Sequence, residues 1–535
     1  MDYTPEQLAA IQDINTNLQI IACAGSGKTQ VISERIVNIL RSGALPENIV
    51  AFTFTDKAAT ELKDRIHRLC REELGSDTGL GDMYIGTIHG FCLNILQEPP
   101  VYRYLKYQVL SDVHQRLLID RHSNQSGLTN TPLLNGGNLR RWVDSRLFQQ
   151  LISILSEAEV DNTQIPQQVL DSINMYHELA DNHRYLDYTS ILREAYDSLN
   201  NDDNLRNTLS DRLRYLIVDE YQDVNPLQEN IINTIYELCG NICVVGDDDQ
   251  TIYQWRGSDV NNIIQFTNRY PNVRTISLNQ NFRSSHAIVE CTKRFIERVT
   301  DRLPKTMESA NSQPTIRGDI LAIGFDSVED EANWLVQKIQ WLHGSEYRDH
   351  VDDEPRGLVY SDISILLRSV RRDARAIVEA LDRENIPYIV GGMDGLFDPP
   401  EIQVIVNIFN YLSDFSPRGT NPPTIEDIRL SLENSGFGLD EDNINEGIEY
   451  LAQRKERINE NSMDAELYLQ NLYLNFLAAI SLREESIDRD EANNRTGEII
   501  YFNLGKFSNV IFSTRALGSV GGGGGVLGSA VRICS

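Results

Sequence analysis

Lysine is scarce in this chain. It supplies only nine of the 49 basic residues, which face 78 carboxylates, so the formal net charge is −29. A balance of that sign excludes attraction to nucleic acid or to anionic membranes through overall charge, although a binding channel can still be locally basic. An acidic balance with Arg preferred to Lys suggests a protein from a salt-rich cytoplasm, and simple acidity for solubility is the alternative reading. Long apolar runs are also missing. No stretch of about 18 uncharged apolar residues appears, so a helical membrane span is not expected, and the N-terminus shows no signal-peptide pattern. The seven cysteines, Cys23, Cys70, Cys92, Cys239, Cys243, Cys291 and Cys534, are scattered without a C-x-x-C pair. Neither a disulfide framework nor a zinc site is expected from them. Free thiols in a reducing cytoplasm are the simple reading.

What is present is enough for several cores. The chain has 535 residues, 41% of them hydrophobic, which predicts three or four domains. Its most informative stretch is Ala22-Cys23-Ala24-Gly25-Ser26-Gly27-Lys28-Thr29. An apolar run, Leu18-Gln19-Ile20-Ile21, precedes it and reads as a buried strand. Val31 to Leu40 follows with helical spacing of apolar residues. Strand, Gly-rich turn, Gly-Lys-Thr and helix in that order predict a phosphate-binding loop, with Ala22 where a glycine is usual. Small residues let backbone N–H groups curl around phosphate oxygens at a helix N-terminus. Lys28 can then reach the β/γ-phosphates and the Thr29 hydroxyl can ligate Mg²⁺.

Far downstream, Tyr215-Leu216-Ile217-Val218 reads as a buried strand running into Asp219 and Glu220. An acid at the end of a core strand can hold Mg²⁺, which suits Asp219, and Glu220 beside it suits a general base for the attacking water.

Several segments share one order with a known family. Asp-Glu-x-Gln-Asp at Asp219 to Asp223, with Gln7 in Tyr3-Thr4-Pro5-Glu6-Gln7, resembles a superfamily 1 helicase of the UvrD/Rep/PcrA group. Thr53 to Ala59 with Glu61 to Ile66 is similar to motif Ia, and Gly86 to Phe91 to the next DNA-contacting motif. Val245 to Gly257 is similar to motif III, and Leu278 to Ser284 to motif IV, with Phe282 where Tyr is usual. The resemblance covers about residues 1–512. It implies an α/β fold, phosphate-loop NTPase (RecA-like) parallel-sheet motor domains with inserted helical subdomains, and ATP with Mg²⁺ as cofactors. It implies Gln7 at the adenine edge, Arg35 near the base, Phe282 stacked on the adenine, Gln250 sensing the γ-phosphate and Arg283 neutralising the transferred phosphoryl group. It also implies a single-stranded DNA track through Phe54, His89, Phe91, Tyr253, Trp255 and Arg256. For Phe54 and Phe91 a place in the core is an equal reading. Trp255 and Tyr253 follow a polar, Asp-rich turn that a core would not choose. The implied activity is 3′ to 5′ translocation on single strands and at single-strand/duplex junctions, in repair or replication.

The same resemblance suggests an organisation. Residues 1–92 and 186–285 form a first motor domain, interrupted at 93–185 by a helical subdomain in which Leu147, Leu151, Ile154 and Leu155 share a helix face. Residues 286–412 begin a second motor domain, with strands at 362–367 and 386–390 and a helix at 401–412. Residues 413–512 start a second helical insertion, where Arg495-Thr496-Gly497 and Asn503 to Ser508 recur in some relatives. From 513 to 535 a Gly/Ser-rich tail with five consecutive glycines is expected to be flexible. No motif V or VI is found, which suggests a truncated or frame-shifted product. The alternative to a working helicase is therefore a remnant that binds ATP and single-stranded DNA without unwinding.

Overall fold

The computed structural model describes residues 3–77, 79–134, 136–158, 162–252, 257–300, 302–310, 320–350, 353–390, 400–414, 421–433, 437, 439–459, 469–480 and 530–533. The chain divides into two compact units. The first is essentially residues 1–324, and the second takes most of the remainder.

The first unit is built on a six-stranded parallel sheet. Its strands, with two short ones outside it, are β1 (Asn17–Ala22), β2 (Ile49–Phe52), β3 (Tyr84–Gly86), β4 (Gln108–Val109), β5 (Tyr185–Leu186), β6 (Tyr215–Val218), β7 (Ile242–Gly246) and β8 (Val273–Leu278). The sheet order is β3-β2-β6-β7-β1-β8, and β4 pairs only with β5. Strand β1 lies between β7 and β8, with Ile20 opposite both Val245 and Ile276. All six residues of β1 are buried, as a strand covered on both faces requires.

Helices cover both faces. On one face lie α1 (Pro5–Gln12), α2 (Lys28–Arg41) and α3 (Asp56–Leu74), which bury Ala10, Val31, Ile32, Ile36, Leu62 and Ile66 against the sheet. On the other lie α4 (Ile88–Gln97), α8 (Tyr188–Asn201), α9 (Asp203–Arg212) and α10 (Pro226–Cys239), which bury Phe91, Leu96, Leu192, Leu205, Ile231 and Ile235. The start of α1 is specified locally. Pro5 stands in the first turn, Thr4 Oγ1 accepts from Gln7 N, and the Gln7 amide oxygen accepts from Thr4 N, a reciprocal cap.

Between β4 and β5 runs a helical excursion, α5 (Asp112–Arg121), α6 (Ser145–Glu157) and α7 (Gln167–Asn182), with its own core around Ile119, Leu128, Phe148, Ile152 and Tyr176. Of the Leu147-Leu151-Ile154-Leu155 stripe read from the sequence on α6, Leu151 and Leu155 pack against this core. Phe148 and Ile152 point inward, while Leu147 and Ile154 are exposed. Two interleaved apolar stripes on this helix made the face ambiguous, and the aromatic won.

In the second unit, the helix Val328–Leu342 packs Ala332, Val336 and Ile339 against Ile377, Ala380 and Leu381 of the helix Arg375–Arg383. Helices Pro400–Leu412, Ile425–Glu433, Glu441–Asn459 and Leu469–Ala479 share a separate core around Ile405, Ile428, Leu451 and Phe476. The strands Ser364–Leu366 and Tyr388–Val390 do not pair with each other. Ala530–Ile533 lies between them, antiparallel to both. The expectation of a tail without structure is thus corrected over these four residues. Two open strand edges offer unpaired N–H and C=O groups, and Ala-Val-Arg-Ile has the β-branched content to fill them. The segments at 495–497 and 503–508 lie outside the described residues.

Candidate active site

The phosphate loop leaves β1 at Ala22 and is held on three sides. Cys23 N donates to Leu278 O at 3.0 Å, Ser26 N to Cys23 O at 3.2 Å, and Phe282 N to Gly25 O at 2.9 Å. Ala24 O accepts from Asn281 Nδ2 at 2.8 Å. Gly25 (φ +70°) and Gly27 (φ +81°) are left-handed, which opens the turn. Space also forbids a side chain at 25, where a Cβ would sit 2.8 Å from Asn281 Oδ1 and 2.9 Å from Arg283 Cβ. The loop delivers Lys28 and Thr29 to the first turn of α2, where unpaired N–H groups favour an anion. The buried Ser26 Oγ has no hydrogen-bond partner, so the loop retains a polar atom that a phosphate oxygen would satisfy.

Strand β6 delivers the carboxylates to the same place. Lys28 Nζ lies 2.9 Å from Glu220 Oε2, and the lysine side chain is only 12% exposed. Asp219 N donates to Phe52 O at 2.9 Å, and Asp219 Oδ1 accepts from Glu220 N at 2.9 Å. Glu220 takes a left-handed backbone (φ +50°), a strained geometry for a glutamate that turns its carboxylate back toward the loop. Burial pushes Asp219 up to about 7, with the Glu220 charge adding to it and Lys28 opposing. Asp223 is pushed to about 7 by burial and then by Glu220. Crowded carboxylates in a buried pocket call for a cation, and Thr29 and Asp219 supply oxygen donors suited to Mg²⁺.

A cleft of about 110 Å³ opens beside the loop, lined by Thr4, Gln7, Ser26, Leu278, Gln280 and Phe282 among others. Gln7 reaches it with its amide partly committed, since Nε2 donates to Ser26 O at 3.0 Å and Oε1 completes the α1 cap. Each amide atom keeps capacity for one more bond. Phe282 is half-buried in the wall, and Arg283 is exposed beside Gly25. Gln250 Nε2 donates to Asp247 Oδ2 at 2.6 Å. Arg35 does not join them, which corrects its placement near the base. It is fully buried and donates to Ala10 O at 2.8 Å and to Asp13 O. Its position nearly two turns into α2 carries it past the loop to the end of α1.

The aromatic track divides. Phe91 belongs to the core, fully buried with ring centroids 5.4 Å from Phe52 and 5.1 Å from Tyr84, so its place on a DNA surface is corrected. Phe54 is half-buried. His89 stands edge-on to Tyr188 at 5.7 Å, and burial lowers it to about 4, which leaves it neutral at pH 7. Tyr253, Trp255 and Arg256 lie outside the described residues.

A family model described as the UvrD/REP helicase N-terminal domain matches residues 3–271, half of the chain, and one described as the UvrD-like helicase C-terminal domain matches 276–415. The chain belongs to the UvrD/REP helicase family. Among its relatives, the ATP-dependent DNA helicase PcrA of Leuconostoc citreum is 29% identical over 76% of this chain and 52% of that one. PcrA of Staphylococcus epidermidis is 29% identical over 80% and 58%, and PcrA of Staphylococcus aureus 27% over the same shares. The chain thus spans a little over half the length of the curated relatives it matches. The crystal structure of Pif1 helicase from Candida albicans aligns at 12% identity with a TM-score of 0.25, over 76% of this chain and 61% of that one, a likeness too slight to argue from.

In this UvrD/REP-family site, two side chains act as hubs that motif reading passed over. Gln222, fully buried, donates to Glu220 Oε2 at 2.9 Å and Asp223 Oδ2 at 3.1 Å, and accepts from Asp247 N at 3.0 Å. Gly246 leaves it room, because a Cβ there would lie 2.6 Å from Gln222 Oε1. Asn281 ties the loop to the Phe282-Arg283 turn, with Oδ1 accepting from Arg283 N and Ser284 N at 2.9 Å each. A polar residue inside an otherwise motif-like string was the available signal for both.

Proposed function

We propose that the chain is the ATP-hydrolysing part of a DNA helicase that translocates 3′ to 5′ along single-stranded DNA and acts at single-strand/duplex junctions. The observation that carries the hydrolytic part of this reading is the 2.9 Å contact between Lys28 and Glu220 beside Asp219, at the mouth of a loop shaped for phosphate, and the family match supports the DNA-helicase part. Lys28 balances the carboxylates. On ATP binding its ammonium turns to the β/γ-phosphates, and Glu220 is released to accept a proton from the attacking water. Thr29 and Asp219 would hold Mg²⁺, which would supply charge neutralisation at the phosphoryl oxygens. Gln7 and Phe282 seat the base, Gln250 meets the γ-phosphate, and Arg283 stabilises charge that develops on transfer. Phe54 and His89, with Tyr253, Trp255 and Arg256, stack bases at roughly 1–3 kcal/mol each without reading sequence. A neutral His89 suits stacking better than pairing with phosphate.

The test is steady-state ATP hydrolysis by the 535-residue chain with and without single-stranded DNA, beside Lys28→Ala. Hydrolysis stimulated by DNA and lost in the variant supports the reading. ATP and DNA binding without turnover would leave only a binding remnant, and absence of ATP binding would overturn the assignment.

A further inference from the structure

Motif III carries three consecutive aspartates, and the structure shows what holds them together. Lys305, its side chain fully buried, contacts Asp247 and Asp248 and lies 3.2 Å from Asp249. Arg302 clamps Asp249 with both ends of its guanidinium, Nε at 3.0 Å and Nη2 at 2.6 Å, and Leu303 N donates to Asp248 Oδ2 at 2.7 Å. Burial works against the ammonium of Lys305, but the Asp247 and Asp248 carboxylates outweigh it and its pKa sits above the ordinary lysine value. The segment then continues to the base cleft. Glu308 and Ser309 pair in parallel with Gln280 and Asn281, and Glu308 lines the cleft with Phe282.

Asp247 is the joint. One of its oxygens meets Lys305 and also accepts from Asp249 N at 3.2 Å, while the other accepts from the Gln250 amide at 2.6 Å. Its own N–H is held by Gln222, which also holds Glu220. We propose that Lys305 is a positioning residue for hydrolysis. It fixes Asp247 so that Gln250 is presented to the γ-phosphate, and with Arg302 it anchors a strap, residues 302–310, that joins the phosphate-sensing turn to the base cleft. Without it, three neighbouring carboxylates repel and the turn loses the geometry that aims Gln250. The inference rests on the hydrolytic reading above.

The test is a double-mutant cycle on the full chain. Lys305→Met should lower DNA-stimulated kcat for ATP about tenfold or more, with KM changed less than about threefold. In the background of Gln250→Ala, Lys305→Met should add almost nothing, because the lysine acts through that glutamine. Lys305→Arg should recover part of the rate. Should Lys305→Met lose its cooperative thermal transition, Arg302→Gln takes its place, with a smaller kcat loss that is again absent beside Gln250→Ala. Losses that multiply in the double variant, or a kcat unchanged in a folded single variant, would overturn the proposal alone. No hydrolysis by the parent chain would overturn the underlying reading and this inference with it.

Discussion

Replacing Lys28 by Ala separates the chemistry of the site from its stability, because the two effects differ in size. The ammonium sits 2.9 Å from Glu220 Oε2. At an effective dielectric constant of about 20, unit charges at that separation attract by about 6 kcal/mol. Most of this is returned when the charges are hydrated in the unfolded chain. Glu220 is also 34% exposed, so water screens what remains. Between the values for exposed and for buried pairs, the expected loss of folding stability is about 1–2 kcal/mol. The loss in turnover is larger. Removing one preorganised donor to developing charge costs about 10²–10³ in rate, or about 3–4 kcal/mol. At 25 °C the variant should therefore remain folded, with a modestly lower unfolding midpoint, and its DNA-stimulated phosphate release should fall by at least 100-fold. Phosphate release and urea unfolding on the same preparation check both numbers. A folded variant that hydrolyses ATP at more than a tenth of the parent rate would refute the placement of Lys28 at the transferred phosphate.

Glu220→Gln keeps an oxygen that can accept from Lys28 and Gln222, so nucleotide affinity should change less than about threefold. Loss of the base should lower kcat by about 10²–10⁴, measured by single-turnover hydrolysis. Phe91→Ala should destabilise the fold by about 3–5 kcal/mol in urea titrations, as a buried ring does. A stable variant with selectively weakened single-strand binding would return Phe91 to the DNA track. Arg35→Met should lower stability and leave the KM for ATP unchanged within about twofold, and a raised KM in a stable variant would place Arg35 at the base after all. For pH, Asp219 is raised from 3.8 to about 7 in the folded chain, so the folded state holds a proton that the unfolded state releases. Its contribution to stability is present below about pH 4 and is lost as pH rises to about 7. The stability difference between the parent and Asp219→Asn should shift against the parent across that window. A difference that is flat in pH would show that Asp219 titrates normally.

Local sequence order made the phosphate loop legible, because the strand, the turn glycines and the helix are all determined within about 25 residues. The β6 carboxylates were legible for the same reason. Phe91 was not, since an aromatic one turn into an amphipathic helix reads alike whether it faces a sheet or a strand of DNA. Only the contact with Phe52 and Tyr84 decides it. Arg35 failed differently. A guanidinium near a phosphate loop suggests a ligand, and nothing local shows that its helix face meets the carbonyl groups ending α1. Lys305 lies 55 or more residues from its carboxylate partners and in no recognised motif, so its role exists only in the fold. The strand at Ala530–Ile533 is too short for periodicity to mark, and it takes its identity from the edges it fills.

The placement of β1 has a consequence for synthesis on the ribosome. Asn17 pairs with Val273, and Ile21 with Gly246, so the strand that launches the phosphate loop acquires both neighbours only after more than 200 further residues have been made. At roughly 5–20 residues per second, that strand waits on the order of 10–50 s with both of its edges unpaired. The excursion through α5, α6 and α7 has its own core and all its parts by residue 186, so it can fold during the wait. Nascent chains should thus carry a formed helical excursion and an open, chaperone-accessible β1. ATP would protect them from proteolysis only once the Asn281 turn has emerged.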